Sequence, residues 1–248
     1  MTASAQKSIL IVEDEPDLCE MLAFEFANRG FCAYRAGDGR EALDILRGFR
    51  PDVVVSDIRM PDVDGFDVLD KVKREDVNSP VVILISAYSD IAPHLSYHRG
   101  AEAIFTKPFR LAALVEAVQR LTRPQHERWA AAPREAPWRR LWAKAASLEE
   151  GRERRIVDVG RGGVCLASQE RDMVCFERTV LDVAWDHGPL DRIEGVGVIR
   201  WDLLDDNDPL VCYYGVELEY VSDDTRGPLI SWLDTARPIP YIPAFRDI

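Results

Sequence analysis

Val53-Val54-Val55-Ser56-Asp57-Ile58-Arg59-Met60-Pro61 is a short β-branched run that ends on a hydroxyl and a carboxylate. Three other runs share its design. Ile9-Leu10-Ile11-Val12 leads into Glu13-Asp14, Val81-Val82-Ile83-Leu84-Ile85 ends at Ser86, and Ala103-Ile104-Phe105 ends at Thr106-Lys107-Pro108. Short runs rich in Val and Ile, separated by helical stretches, read as buried parallel strands. In an open α/β sheet, ligands collect beyond the carboxyl ends of the strands. The polar ends therefore converge as three carboxylates, one hydroxyl and one ammonium. Carboxylates suit a hard cation such as Mg²⁺. The hydroxyl and the ammonium suit phosphoryl oxygens.

Working outward, helical stripes separate these runs. Pro16 to Arg29 carries Leu18, Met21, Leu22 and Phe26, with Gly30 where a cap belongs. Phe31 to Arg35 is a second strand. Asp38 to Phe49 carries Ala42, Leu43, Ile45, Leu46 and Phe49. Phe66, Leu69 and Val72 follow Gly65, and Leu111, Leu114, Val115, Val118 and Leu121 make the last stripe. Regular alternation of strand and helix implies a doubly wound parallel sheet.

Residues 124–137 hold Pro124, Pro133, Pro137 and an Ala run, and read as a linker with a short helix around Gln125 to Ala132. From Trp138 the pattern changes to strands over Arg154 to Val159, Gly163 to Ala167, Met173 to Phe176, Val180 to Ala184, Gly195 to Trp201 and Val211 to Tyr220. Many short strands with polar turns suggest a small antiparallel barrel. Asp223 to Ala236 is helical, and 237–248 is proline-rich and irregular. The 248 residues suit two domains. A net charge of −12 disfavours non-specific nucleic-acid binding. No apolar run approaches a membrane span, and Met1 to Ser8 lacks the apolar core of a signal peptide. Cys19, Cys32, Cys165, Cys175 and Cys212 are scattered without a C-x-x-C pair, as reduced buried thiols are. A cytoplasmic protein is expected. His94 and His98 have i,i+4 spacing but no evident third ligand, so they read as surface residues.

Residues 7–123 resemble the receiver domain of bacterial response regulators. Glu13-Asp14 resembles its acidic pair, Asp57-Ile58-Arg59-Met60-Pro61 with Gly65 its acceptor loop, and Ser86-Ala87 and Lys107-Pro108-Phe109 its switch positions. The resemblance implies a flavodoxin-like five-stranded sheet in the order 2-1-3-4-5 over residues 1–123. It implies phosphorylation of Asp57 by a sensor histidine kinase, with no enzyme activity beyond self-catalysed phosphoryl chemistry. Mg²⁺ is expected on Glu13, Asp14, Asp57 and Arg59. Ser86, Phe105 and Lys107 are expected to bind the phosphoryl group and switch. Arg59 and Tyr88 are expected to overhang the pocket.

Residues 138–236 resemble a PilZ domain, a module that often binds cyclic di-GMP. Ile156 to Val164, Gly197 to Trp201 and Tyr214 to Leu218 carry the likeness. The family's R-x-x-x-R segment and D/N-x-S-x-x-G turn imply contacts from Arg139, Arg140, Lys144, Asp158, Arg161 and Gly163. Trp138 and Trp142 flank the basic segment and could stack on guanine. The chain departs from the pattern at Lys144 and at Gly160, where the family has Arg and Ser. Two outputs stand: a cyclic di-GMP-binding domain, or an interaction scaffold that binds no nucleotide. Expected partners are the kinase, a downstream protein and a second copy of the chain, with no DNA and no membrane insertion.

Overall fold

The computed structural model describes residues 6–87, 92–134, 137 and 139–245; the expectations for Tyr88 and Trp138 fall outside them. The runs become β1 (Ser8–Val12), β2 (Cys32–Ala36), β3 (Val53–Asp57), β4 (Val81–Ala87) and β5 (Ala103–Lys107). All pair in parallel in the order β2-β1-β3-β4-β5. The valines of β3 are buried because the strand lies mid-sheet. The stripes become α1 (Pro16–Asn28), α2 (Gly39–Gly48), α3 (Gly65–Glu75) and α5 (Leu111–Leu121), with a short α4 (Pro93–His98) between β4 and β5 in the chain.

The start of α3 positions the acceptor loop. Asp64 caps it, accepting from Asp67 N at 2.9 Å while Asp67 accepts from Asp64 N at 3.2 Å. Gly65 follows because a Cβ there would lie 2.2 Å from Asp57 O and 2.9 Å from Ile58 Cα. At the amino ends of β4 and β5 lies a pair that the sequence did not suggest. Lys73 and Glu102 are buried, with Nζ 2.7 Å from Glu102 Oε1 and 2.8 Å from Pro80 O, while Val82 N donates to Glu102 Oε2 at 2.7 Å.

The chain divides into two compact units, Met1–Ala92 with Arg99–Thr122, and Pro93–His98 with Arg123–Ile248. The second holds α6 (Gln125–Arg128), β6 (Arg140–Ala145), α7 (Leu148–Glu153), β7 (Val157–Val159), β8 (Gly163–Ser168), β9 (Arg178–Trp185), β10 (Arg192–Leu204), β11 (Cys212–Val221) and α8 (Asp223–Ala236). Its strands run β6-β9-β10-β11-β8-β7, and β6 also packs on β7 and β8, so the sheet nearly closes. It is mixed rather than wholly antiparallel, because β6 pairs in parallel with β9. Sequence reading missed β6 because Arg140, Trp142 and Lys144 face outward and two of the three inward positions are Ala. Residues 173–176, expected as a strand, form none; Val174 and Phe176 are exposed, and Phe176 has a φ of 72°.

The barrel core joins Leu141, Leu166, Leu181, Ile199, Val216 and Leu218 to Leu229, Trp232 and Leu233 of α8. Trp129, in the stretch read as linker, is buried in that core, and its carbonyl accepts from Val221 N at 3.1 Å. The segment 237–245 is irregular as expected, yet Tyr241, Ile242, Ala244 and Phe245 are buried. His94 and His98, expected as surface residues, are half-buried and make specific contacts. His98 Nδ1 accepts from Ala244 N at 2.9 Å, and His94 sits edge-on to Trp201 with its pKa lowered by burial.

Candidate functional site

Glu13 and Asp14 follow β1, Asp57 ends β3 and Lys107 ends β5, so the sheet order brings them to one edge. Ligand oxygens of Glu13, Asp14 and Asp57 lie within 4.8 Å of one another. Lys107 Nζ is 3.1 and 3.0 Å from the two Glu13 oxygens, donates to Asp57 Oδ2, and lies 3.4 Å from Glu15 Oε1. Asp57 Oδ1 accepts from Arg59 N at 3.0 Å. Glu13 and Asp57 are buried and Asp14 is exposed, so the cluster opens to solvent through Asp14.

Three carboxylates against one ammonium leave a negative excess that a hard divalent cation would neutralise. The residues fit Mg²⁺ in donor type and spacing. Arg59 offers a cation only its main-chain oxygen, since a guanidinium cannot ligate one. Burial raises the Glu13 pKa to about 7; the Lys107 hydrogen bond opposes that rise, and the Asp57 charge adds to it. Burial works against the Lys107 charge, but its hydrogen bonds to Asp57 and Glu13 outweigh that, and its pKa rises.

Ser86 is buried on β4, and its hydroxyl has no hydrogen-bond partner among the described residues. A buried hydroxyl without a partner is costly unless a ligand engages it. Phe105 is half-buried, edge-on to Phe109 with ring centroids 6.1 Å apart. Glu15 is the acidic group that sequence reading missed. It is the third carboxylate of the loop after β1, one residue beyond the expected pair.

The residues expected to contact cyclic di-GMP are largely engaged within the chain. Arg139 pairs with Asp172 at 2.7 Å and Lys144 with Asp186 at 2.8 Å. Asp158 Oδ1 holds Arg152 Nη2 at 2.7 Å and accepts from Val159 N at 2.8 Å. Arg161 is buried, and its Nε donates to Ile239 O at 3.2 Å. Gly163 packs against Val216 O, and Arg140 is exposed on β6. A hydroxyl at Gly160 is excluded, because even a Cβ there would lie 2.7 Å from Pro240 O and from Tyr241 O.

A family model described as the response regulator receiver domain matches residues 9–119. The regulatory protein AtoC of Escherichia coli (strain K12) is 40% identical over 118 residues, 47% of this chain and 25% of that protein. The DNA-binding response regulator MtrA of Mycolicibacterium smegmatis is 37% identical over 123 residues, 49% of this chain and 54% of that one. The chain thus spans a quarter to about half of the length of these relatives. Among solved structures, the response regulator protein TrrA from Thermotoga maritima in complex with Mg(2+)-BeF is 33% identical. That match covers 46% of this chain and 98% of TrrA, with a TM-score of 0.43. Among the described residues, no helix is long and apolar enough to cross a membrane.

Proposed function

Residues 9–119 are a receiver domain of the response-regulator family, and we propose that the chain is a two-component switch phosphorylated on Asp57 by a sensor histidine kinase. The carrying observation is the meeting of Glu13, Asp14, Asp57 and Lys107 beyond the strand ends. An Asp57 oxygen attacks the phosphorus of a phosphohistidine; a P–O bond forms as the P–N bond breaks, and the imidazole leaves. Glu13, Asp14, Asp57 and the Arg59 main-chain oxygen would hold Mg²⁺, which would supply positive charge to neutralise the transferring group. Lys107 turns its ammonium to a phosphoryl oxygen, and Ser86 donates its unpartnered hydroxyl to another. Phe105 then repacks.

For the second unit we favour a PilZ-like interaction module over a nucleotide site. The supporting observation is that Arg161 and the Gly160–Gly163 turn are covered by the segment around Tyr241. Acetyl phosphate with Mg²⁺ is expected to add one phosphoryl group by intact mass. Asp57→Ala or EDTA abolishes the gain. A gain retained by Asp57→Ala refutes the assignment. Calorimetric titration with cyclic di-GMP is expected to show no saturable heat; a saturable one restores the nucleotide reading.

A further inference from the structure

Three of the four residues of the turn Gly160-Arg161-Gly162-Gly163 are glycine where residues 239–243 cross it. A Cβ on Gly162 would fall 2.0 Å from the Tyr241 ring, and one on Gly163 would fall 3.0 Å from Ile242 Cγ1. Three successive carbonyls of the crossing segment are read by the turn and by Arg161. Arg161 N donates to Pro240 O at 2.9 Å, Gly162 N to Tyr241 O at 2.8 Å and Arg161 Nε to Ile239 O at 3.2 Å. One side chain is read specifically. The Tyr241 ring lies under the Arg161 guanidinium, 5.6 Å from centroid to Cζ, and its hydroxyl donates to buried Glu217 Oε1 at 2.9 Å. Ile242 is fully buried. From α4, Tyr97 O accepts from Tyr241 N at 3.0 Å.

Main-chain pairing for affinity, with pockets for alternate side chains, is how extended peptides are recognised. Pro238, Pro240 and Pro243 fix φ in this segment, so little chain entropy is lost when it is held. The segment has no helix or strand of its own; besides these contacts, Ala244 N donates to His98 Nδ1 at 2.9 Å and the Phe245 ring packs edge-on to Tyr213, with centroids 5.3 Å apart.

We infer that the Gly160–Gly163 turn, Arg161 and Glu217 form a peptide-binding groove for extended Pro-Tyr-aliphatic-Pro segments supplied by another protein. Residues 239–245 are its resident, displaceable occupant. The inference rests on reading the second unit as an interaction module, and it is independent of Asp57.

The test uses a fluorescent peptide with the sequence of residues 238–245, followed by anisotropy on the full chain. Wild type binds it weakly, because the resident segment competes. Tyr241→Ala vacates the ring site and binds it at least roughly tenfold more tightly, since apparent affinity scales with the open fraction. Adding Gly162→Ala to that variant abolishes binding, because the new Cβ fills the place of the ring. A peptide with Ala for Tyr does not bind. As a second route without a core substitution, a protease site inserted between Arg237 and Pro238 is cut after folding, and the labelled peptide exchanges into the groove. The proposal falls if neither protein takes up the peptide while both keep native circular dichroism. It also falls if the cut chain unfolds, which would make 239–245 core rather than ligand. Either failure leaves Asp57 labelling, and with it the receiver reading, untouched.

Discussion

Glu13 illustrates what one extra buried charge does. Its pKa lies near 7 against an ordinary 4.5, so between those values the folded protein binds more protons than the unfolded chain. Its contribution to stability is complete below pH 4.5 and is lost as the pH rises through 7. Urea melts in EDTA should therefore show Glu13→Gln gaining on wild type as the pH climbs from about 5 to about 8. Mg²⁺ should reverse the order at pH 8, because the ion favours ionised Glu13. Parallel pH profiles would refute the assignment. Lys73 and Glu102 make the opposite case, a charge pair complete within the fold. Glu102→Gln leaves the ammonium underpaired and should cost about 3–5 kcal/mol in urea denaturation. Lys73→Met with Glu102→Leu should recover only part, since Val82 N loses its acceptor. A loss under about 1 kcal/mol would show that Lys73 reaches water. Glu13, Asp57 and Lys107 were legible because each ends an apolar strand. Lys73 and Glu102 were not, being 29 residues apart with nothing local to link them.

At the scale of elements, the joint between β3 and α3 separates a helix defect from a site defect. Asp64→Ala loses the capping box and should cost about 1 kcal/mol while acetyl phosphate labelling proceeds at the wild-type rate. Gly65→Ala sets a Cβ against Asp57 O and Ile58 Cα, which are both main chain, so the acceptor strand must move. Its labelling should slow by roughly an order of magnitude or more, a shift of about 1.4 kcal/mol. Equal labelling rates in the two variants would show that the joint does not position Asp57. The same scale explains what the sequence displayed. β1, β3 and β4 are buried along most of their length, so their apolar runs were visible. β6 alternates Arg140, Trp142 and Lys144 with Leu141, Ala143 and Ala145, and its basic residues looked like a ligand segment rather than the outer face of a strand. The segment 237–245 has no helical or strand period; it packs through carbonyls and through Tyr241, Ile242 and Phe245 in irregular backbone, which leaves no periodic signal.

Across the whole molecule, two separate cores imply two melting transitions, because cooperativity follows shared burial. The cation site belongs wholly to the first unit, so Mg²⁺ should raise one transition only. The gain follows mass action, about 2.7 kcal/mol at a hundredfold excess over the dissociation constant. Glu102→Gln should lower that same transition. Trp129→Ala empties a site in the barrel core and should lower the other by about 3–5 kcal/mol while leaving the Mg²⁺ response unchanged. Differential scanning calorimetry of the full chain with and without Mg²⁺ checks all three shifts at once. A single transition that moves with every variant would mean that the two units unfold as one. In that case Trp129, although it sits in the barrel core, would also govern the stability of the Asp57 pocket.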